Sequence, residues 1–221
     1  MPKKVPGTEL RRLCCVSVLV LGAAIATGAI PGLAQTVAKE ADSAPRAALQ
    51  PLDHVRFSIE RLASVVESGQ SQDQARRVVE EMFDFDEMAR RTLAQHWKDG
   101  SPEEQVEFVR VFRALVERVY LMSLGNFPLR SMTFVSESLS GPYAQVQSRI
   151  NVDRRSETAV EYRLVERDGR WGVYDVAVDG VGLVSSYRSQ FNSILRTASF
   201  GELLERLKSR DANSPRAAQG P

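Results

Sequence analysis

The side chains best suited to acid–base or metal chemistry are few in this sequence, and their spacing favours structural roles. The two histidines, His54 and His96, fall in different predicted helices, and neither has a second histidine or a glutamate at the spacing of a zinc site. Three carboxylates lie close together at Asp84, Asp86 and Glu87, but the glycine and the later glutamate of a calcium loop are missing. We interpret this cluster as a solvated helix face that begins with an N-cap.

Asp175 is the acidic residue with the best prospect of catalysis. A small α+β fold can hold an aspartate as general base in an apolar pocket, with Tyr162 or Tyr174 nearby. A structural ion pair with an arginine of a neighbouring strand also explains Asp175. Arg188 has a similar ambiguity, because it is suited to binding a phosphate or to pairing with Asp175 or Asp179. Ion pairing is the interpretation that we favour for both residues.

No motif elsewhere in the chain predicts a known catalytic class. The sequence contains no Gly-x-Ser-x-Gly elbow, no phosphate-binding Walker loop and no dinucleotide fingerprint. The formal net charge of +1 at pH 7 does not predict a nucleic-acid partner. The residue types therefore point away from an enzyme and from a nucleic-acid-binding protein.

Residues 1–34 have the order of a secretory signal peptide. Basic residues precede an apolar run from Leu13 to Ile30, and small residues precede a cleavage position after Ala34. Both cysteines, Cys14 and Cys15, lie in this segment, so the mature chain would contain no thiol and no disulfide. The apolar run is longer than a usual signal core, which leaves an uncleaved membrane anchor as the alternative.

After the signal segment, the composition predicts one folded domain between two polar ends. Residues 35–50 and 211–221 are small, polar and proline-bearing and have no apolar period, so we expect both to be disordered. Residues 51–210 are enough for one domain with a sizeable core and too few for two domains of the usual size.

Apolar residues recur at helical spacing in the first half of this domain. The pattern predicts helices over 51–68, 71–83, 84–97 and 102–124. The strongest helix start places Ser101 as N-cap and Pro102 at the first helical position, with two glutamates near the positive end of the helix dipole. Ser71, with Gln74 three residues later, predicts a capping box for the second helix.

From residue 131 the apolar period changes to that of a strand. Strands are predicted over 131–139, 143–152, 158–167 and 170–178. Asp168-Gly169 has the composition of a two-residue hairpin turn, and the short links predict antiparallel pairing. Helical spacing returns at Leu183 and again at Leu203. The predicted fold class is therefore α+β, with helices packed on a curved antiparallel sheet of about four strands.

The last predicted strand is apolar on both faces. Strict alternation places Trp171, Val173, Asp175 and Ala177 on one face and Tyr174, Val176 and Val178 on the other. A half-exposed antiparallel strand alternates apolar with polar residues, so each face of this strand needs a cover. The predicted helices are numerous enough to cover both faces and leave no cavity, which would give a binding or adaptor module with a solid core.

Four segments of the chain carry a resemblance to a known family. They are "FDFDEMARRTLAQHW", "SPEEQVEFVRVFRALVERVY", "WGVYDVAVDGVGLVSSYRSQFNSIL" and "FGELLERL". These segments and their spacing resemble the toluene-tolerance family of periplasmic phospholipid-binding proteins, the MlaC family, from about Pro51 to Lys208. The sequence departs from the family pattern at Ala94, where glycine is often found, at Asp179, where glutamate is usual, and at Gly182, where serine is usual.

This resemblance implies an NTF2-like sheet and helices that enclose a hydrophobic pocket, with the acyl chains of a phospholipid inside and the headgroup outside. The residues that we expect to hold the acyl chains are Leu93, Phe112, Leu115, Val119, Tyr162, Tyr174, Val176, Val181, Leu183 and Tyr187. The family implies no catalytic residue, no metal and no cofactor, and the bound phospholipid is the cargo. One face of the last strand would then pack on helices while the other lines the pocket.

The same resemblance implies a soluble periplasmic carrier that shuttles phospholipid between the inner and outer membranes and so maintains outer-membrane lipid asymmetry. Its implied partners are an inner-membrane ABC transporter complex with an MCE-domain subunit and an outer-membrane lipoprotein complex. A hopanoid or another lipid is the alternative cargo, because the resemblance extends to proteins linked to hopanoid handling. A small NTF2-like secreted enzyme that uses Asp175 is the alternative from a different class.

Overall fold

The structure, a computed structural model, describes residues 50–69, 71–124, 131–153 and 156–212. The helices in these ranges are α1 (Pro51–Glu67), α2 (Gln72–Met82), α3 (Phe85–Leu93), a 3₁₀ helix (Ala94–Asp99), α4 (Pro102–Leu124), α5 (Leu183–Leu195) and α6 (Phe200–Ala212). Of these helices, none has the length and hydrophobicity required to cross a membrane. The predicted signal peptide and nearly all of the two predicted disordered ends lie outside the described residues.

Between α4 and α5 the chain forms one antiparallel sheet whose strands follow sequence order. They are β1 (Met132–Ser140), β2 (Tyr143–Asp153), β3 (Ser156–Arg167), β4 (Arg170–Val178) and β5 (Val181–Gly182). The four long strands confirm the prediction, whereas the two-residue β5 was not predicted. Asp168 and Gly169 have φ angles of 51° and 72°, as a two-residue hairpin turn with both residues left-handed requires. The predicted α+β class is confirmed.

A bulge in β4 changes which side chains share a face of the sheet. Val173 lies opposite Leu164, and Asp175 lies opposite the adjacent Arg163, so Tyr174 is an extra residue in β4. Val173 therefore joins the inward-facing valines further along the strand. The strict alternation predicted for this strand, which placed Val173 with Asp175, is wrong because the bulge separates them.

The centre of the inner sheet face is apolar and completely buried. Val146 of β2, Tyr162 of β3 and Val176 of β4 lie in register across three strands, and none has exposed surface. Helices α1, α2, α3 and α5 pack against the sheet. Buried apolar residues from each of the six α-helices belong to the same hydrophobic cluster as this face. Removal of this apolar surface from water is the main force that holds helices and sheet together.

Two helices begin with a reciprocal capping box. At the start of α4, the N–H of Glu104 donates to Ser101 Oγ at 3.2 Å, and the N–H of Ser101 donates to Glu104 Oε2 at 2.9 Å, which confirms the predicted N-cap. The same exchange joins Ser199 and Glu202 at the start of α6, where sequence analysis predicted none. The predicted box at Ser71 is wrong, since its side chain makes no capping hydrogen bond.

The predicted helix over 84–97 is divided at Ala94. The α-helical part ends at Leu93, and the 3₁₀ helix continues to Asp99. Ala94 at the junction has φ 51° and ψ −117°, a conformation that residues with a Cβ atom rarely adopt. Glycine, which is often found at this position in the family that the sequence resembles, would be unstrained here.

Replacement of Ala94 with glycine is expected to stabilise the protein. Backbone strain of this kind costs on the order of 1–3 kcal/mol, while the greater freedom of glycine in the unfolded chain opposes the gain by about 0.5–1 kcal/mol. We expect Ala94→Gly to raise the free energy of unfolding, measured by urea titration, by about 1 kcal/mol. The control Ala89→Gly, in the buried interior of α3, should lower it by a similar amount or more. A loss of stability in Ala94→Gly would contradict the strain.

Candidate functional site in the apolar interior

The structure buries most of the residues predicted to hold acyl chains, but it leaves Tyr174 and Val181 outside the apolar interior. Tyr162 and Val176 lie side by side on the inner sheet face. On the helices and their borders, Leu93, Phe112, Val119 and Tyr187 are buried, and Leu115 and Leu183 are partly buried against the same cluster. Seven of these eight side chains, all except Val119, belong to one hydrophobic cluster or pack against it. Contact of any of the eight with lipid stays a prediction.

Aromatic contacts fix the helical part of this interior. The ring centroid of Phe112 on α4 lies 5.5 Å from that of Tyr187 on α5, and the two rings are nearly perpendicular. Phe112 also stacks on Phe108 at 5.6 Å, and Phe108 contacts Phe191 and Phe200 at 5.8 Å each. Pairs of this kind contribute about 0.5–1.5 kcal/mol each beyond the burial of their area. The aromatic cluster therefore holds α5 and α6 against α4.

Tyr174 and Val181 do not join the other predicted pocket residues. Tyr174 lies on the outer sheet face, where its ring centroid is 6.2 Å from that of Tyr143 and 4.0 Å from the Arg91 guanidinium. Tyr143 faces outward because it precedes the buried, inward-facing Ala144 in β2. Val181 is 47% exposed on β5. The bulge turns Tyr174 outward, and the position of β5 at the sheet edge exposes Val181.

Two tyrosine hydroxyls in the interior lack a hydrogen-bond partner. Tyr120, near the end of α4, and Tyr162, on β3, are 2% and 0% exposed, and neither hydroxyl has a partner in the part of the chain that the structure describes. Burial raises the pKa of both hydroxyls above the usual tyrosine value, so both stay protonated. Tyr120 was not among the predicted pocket residues, although its position on the apolar stripe of α4 was visible in the sequence.

Asp175 joins three elements of the fold. One carboxylate oxygen accepts a hydrogen bond from the N–H of Val184, in the first turn of α5, at 3.0 Å, and the other lies 3.2 Å from Arg163 Nη1. Burial raises the pKa of this carboxyl group, while the Val184 N–H and the charge of Arg163 act in the opposite direction. The favoured interpretation of Asp175 as an ion-pair partner of a neighbouring strand is confirmed.

Arg188 does not pair with Asp175 or Asp179, so the favoured ion pair is wrong. Its Nε and Nη2 atoms both donate to the backbone carbonyl of Arg91, at 2.8 and 2.6 Å. That carbonyl lies in the last turn of α3, where helix carbonyls lack intrahelical partners and the dipole favours a cation. Asp179 instead accepts a hydrogen bond from the N–H of Ala159 at 3.0 Å. Arg188 thus ties α5 to the end of α3.

The remaining candidates for chemistry also make structural contacts. A ring nitrogen of His54 lies 3.1 Å from the carbonyl oxygen of Met82, and burial lowers the pKa of the imidazole. Asp84 caps α3 by accepting a hydrogen bond from the N–H of Glu87 at 2.8 Å, and both carboxylates pair with Arg167. The predicted N-cap is confirmed, but the solvated face is wrong for these two side chains. Among the described residues, no cluster of histidine, cysteine and acidic side chains could hold a metal ion.

A groove on the outer sheet face is lined in part by polar and charged residues, unlike the apolar interior. Its lining includes Gln147, Arg149, Glu161 and Arg163. Asp175 is not among the residues that line this groove, although its partner Arg163 is. An enzyme that used Asp175 was expected to aim this carboxylate into a pocket, and this groove does not meet that expectation.

Helices packed on one antiparallel sheet around a mainly apolar interior place the protein in the class of NTF2-like α+β proteins. The clearest candidate site in this fold is the interior itself, because the acids and bases singled out in the sequence serve structural contacts. A family model described as MlaC protein matches residues 58–209. The chain belongs to this family, and the resemblance seen in its sequence is confirmed.

Two known proteins illustrate the relationship. The intermembrane phospholipid transport system binding protein MlaC of Haemophilus influenzae is 23% identical over 123 residues, which cover 53% of this chain and 58% of that protein. The solved structure of a phospholipid-binding protein from Ralstonia solanacearum, in complex with a phospholipid, has a TM-score of 0.64 at 21% identity and covers 74% of this chain and 98% of that chain. The match to the solved structure shows the shared fold, whereas the match to the curated relative spans little more than half of its length.

The burial of Asp175 predicts how stability depends on pH. Because the pKa of its carboxyl group is raised, the folded state binds this proton more tightly than the unfolded state does. The contribution of Asp175 to stability is therefore greatest below the unfolded pKa of about 3.9 and is lost as the pH rises through the folded pKa. In urea titrations, the stability of the wild type relative to Asp175→Asn should increase as the pH falls from about 7 to about 4. A decrease would mean that Arg163 and the Val184 N–H outweigh burial.

Proposed function

We propose that this protein is a periplasmic carrier that shuttles phospholipid between the inner and outer membranes and encloses the acyl chains in its apolar interior. The observation that carries the proposal is the family match over 58–209, a range that contains all of the buried hydrophobic cluster except Val55. The name of the Haemophilus relative and the phospholipid in the Ralstonia structure support it. Maintenance of outer-membrane lipid asymmetry is the biological role that follows.

The energetics of acyl-chain burial determine what kind of carrier this must be. Burying two chains of about 16 carbons at about 0.8 kcal/mol per methylene is worth roughly 25 kcal/mol relative to water. This exceeds the practical limit of non-covalent affinity, about 18–21 kcal/mol. Water is therefore not the relevant donor, and lipid passes between the protein and sites that also bury the chains. Because both sides of that exchange are nearly balanced, partner proteins must set its direction.

The proposed partners are an inner-membrane ABC transporter complex with an MCE-domain subunit and an outer-membrane lipoprotein complex. Export would depend on the predicted signal peptide, residues 1–34, with cleavage after Ala34. The mature protein would then consist of one lipid-binding domain, 51–210, with short polar ends. A phospholipid bound as cargo is the only non-protein group that this proposal requires.

Native mass spectrometry of the mature protein purified from the periplasm, followed by organic extraction, tests this function. We expect a stoichiometric adduct with the mass of a phospholipid. A hopanoid adduct would keep the carrier mechanism and correct the cargo. A bare protein mass, under conditions that preserve the adduct of a known lipid carrier, would contradict the proposal and favour an adaptor with a solid core.

A charge placed on the inner sheet face should abolish lipid co-purification. Val176 is fully buried there, and an ionised glutamate at this position would face acyl chains, which costs several kcal/mol. We expect Val176→Glu to lose the lipid adduct. The matched control Val135→Glu, at a position that is 51% exposed and lines the outer groove, should keep it. Circular dichroism restricts the comparison to folded protein, and a folded Val176→Glu variant that retains its lipid would contradict the placement of the acyl chains.

A further inference from the structure

The two unpartnered hydroxyls, Tyr120 and Tyr162, belong to the same part of the interior. They come from opposite layers of the fold, one from α4 and one from the centre of the sheet. Both side chains belong to the same buried hydrophobic cluster, and Tyr120 also contributes electrostatically to the raised pKa of Tyr162. Within the described ranges they are the buried side-chain oxygen or nitrogen atoms that have no hydrogen-bond partner. Apolar packing alone does not explain why two unpartnered hydroxyls occur together in this interior.

Each of these hydroxyls destabilises the empty protein. A buried donor without a partner costs about 1–3 kcal/mol, and phenylalanine would fill nearly the same space without that cost. The surroundings offer no compensation: the Phe83 ring lies edge-on to Tyr120 at 5.5 Å, and Val146 and Val176 flank Tyr162 in register. A partner for these hydroxyls must therefore come from outside the described part of the chain.

The chemistry of the hydroxyls restricts what that partner can be. Both remain protonated, so each has an O–H to donate, and the partner must accept a hydrogen bond. A phosphate would bring a negative charge into an apolar interior at a much greater cost than a neutral acceptor. A diacyl lipid carries two neutral acceptors next to its buried chains, the carbonyl oxygens of its two ester groups. Two donors thus meet two acceptors.

We infer that Tyr120 and Tyr162 form a binding subsite for the ester carbonyls of a diacyl lipid. This inference rests on the proposed carrier function and adds the chemical class of the cargo, since a polycyclic hydrocarbon without ester groups would leave both hydroxyls unpartnered. The subsite recognises the part of a phospholipid that is common to all diacyl headgroup classes. It also places the glycerol end of the lipid beside α4 and the centre of β3.

The test is a competition between two lipids that differ only in their carbonyl groups. The mature protein is incubated with vesicles that contain equal amounts of dipalmitoyl phosphatidylglycerol and its dialkyl ether analogue, and the bound lipid is identified by native mass spectrometry. The wild type should prefer the ester lipid by about fivefold or more, since one net hydrogen bond is worth about 1 kcal/mol. Tyr120→Phe and Tyr162→Phe should each reduce the preference, and the double variant should bind both lipids equally.

Controls separate this inference from the carrier function. Tyr143→Phe removes a tyrosine hydroxyl on the outer sheet face and should keep the wild-type preference. A wild type that binds both lipids equally would overturn the inference and leave the carrier function standing, as would a preference that survives in the double variant. A buried water as the true partner would give no preference and a lower melting temperature in the phenylalanine variants, which also overturns it. Failure to bind either lipid would overturn the carrier function as well.

Discussion

The bulge at Tyr174 in β4 is the constraint on which the rest of this structure depends. An uninterrupted strand would place Val173 and Val176 on opposite faces, whereas the extra residue lets both face inward. The same bulge sends Asp175 outward, where its carboxylate accepts the N–H of Val184 and so fixes the start of α5. From that start, α5 places Tyr187 against Phe112 of α4. One inserted residue thus makes the inner face continuous and positions the helix that borders it.

Contacts between the helices and the groups of the interior have different roles in this structure, as the proposed carrier function requires. Capping boxes, the Arg188 contact with α3 and the aromatic cluster hold the frame together without a ligand. In the apolar interior, by contrast, the hydroxyls of Tyr120 on α4 and Tyr162 on β3 have no hydrogen-bond partner among the described residues. A ligand that supplies those partners binds only the folded state and stabilises it in proportion to its concentration above the dissociation constant. A ligand that accepts hydrogen bonds from these hydroxyls would therefore add stability to the interior, beyond what the caps and aromatic contacts give.

The features that the sequence predicted correctly depend on local contacts, although the capping box predicted at Ser71 is also local and is wrong. The N-cap at Ser101 and the hairpin turn at Asp168 depend on residues within three positions of one another, and their residue types predict them directly. The bulge in β4 depends on pairing with β3, and the Arg188 contact spans 97 residues, so neither follows from local periodicity. Strict alternation placed Tyr174 and Val176 on one face because the bulge that separates them has no signal in the local sequence.

Hydrogen bonds to the ester carbonyls explain how the proposed carrier can enclose a lipid and still release it. Acyl-chain burial is nearly cancelled when lipid moves from one apolar environment to another, so it contributes little to choosing a cargo. Two neutral hydrogen bonds add only about 1 kcal/mol each, which is enough to favour diacyl lipids and too little to trap them. Because the subsite makes no use of the headgroup, it accepts anionic and zwitterionic phospholipids alike. In the proposed carrier, Tyr120 and Tyr162 would supply selectivity for the lipid class, and the proposed partner proteins would set the direction of transfer.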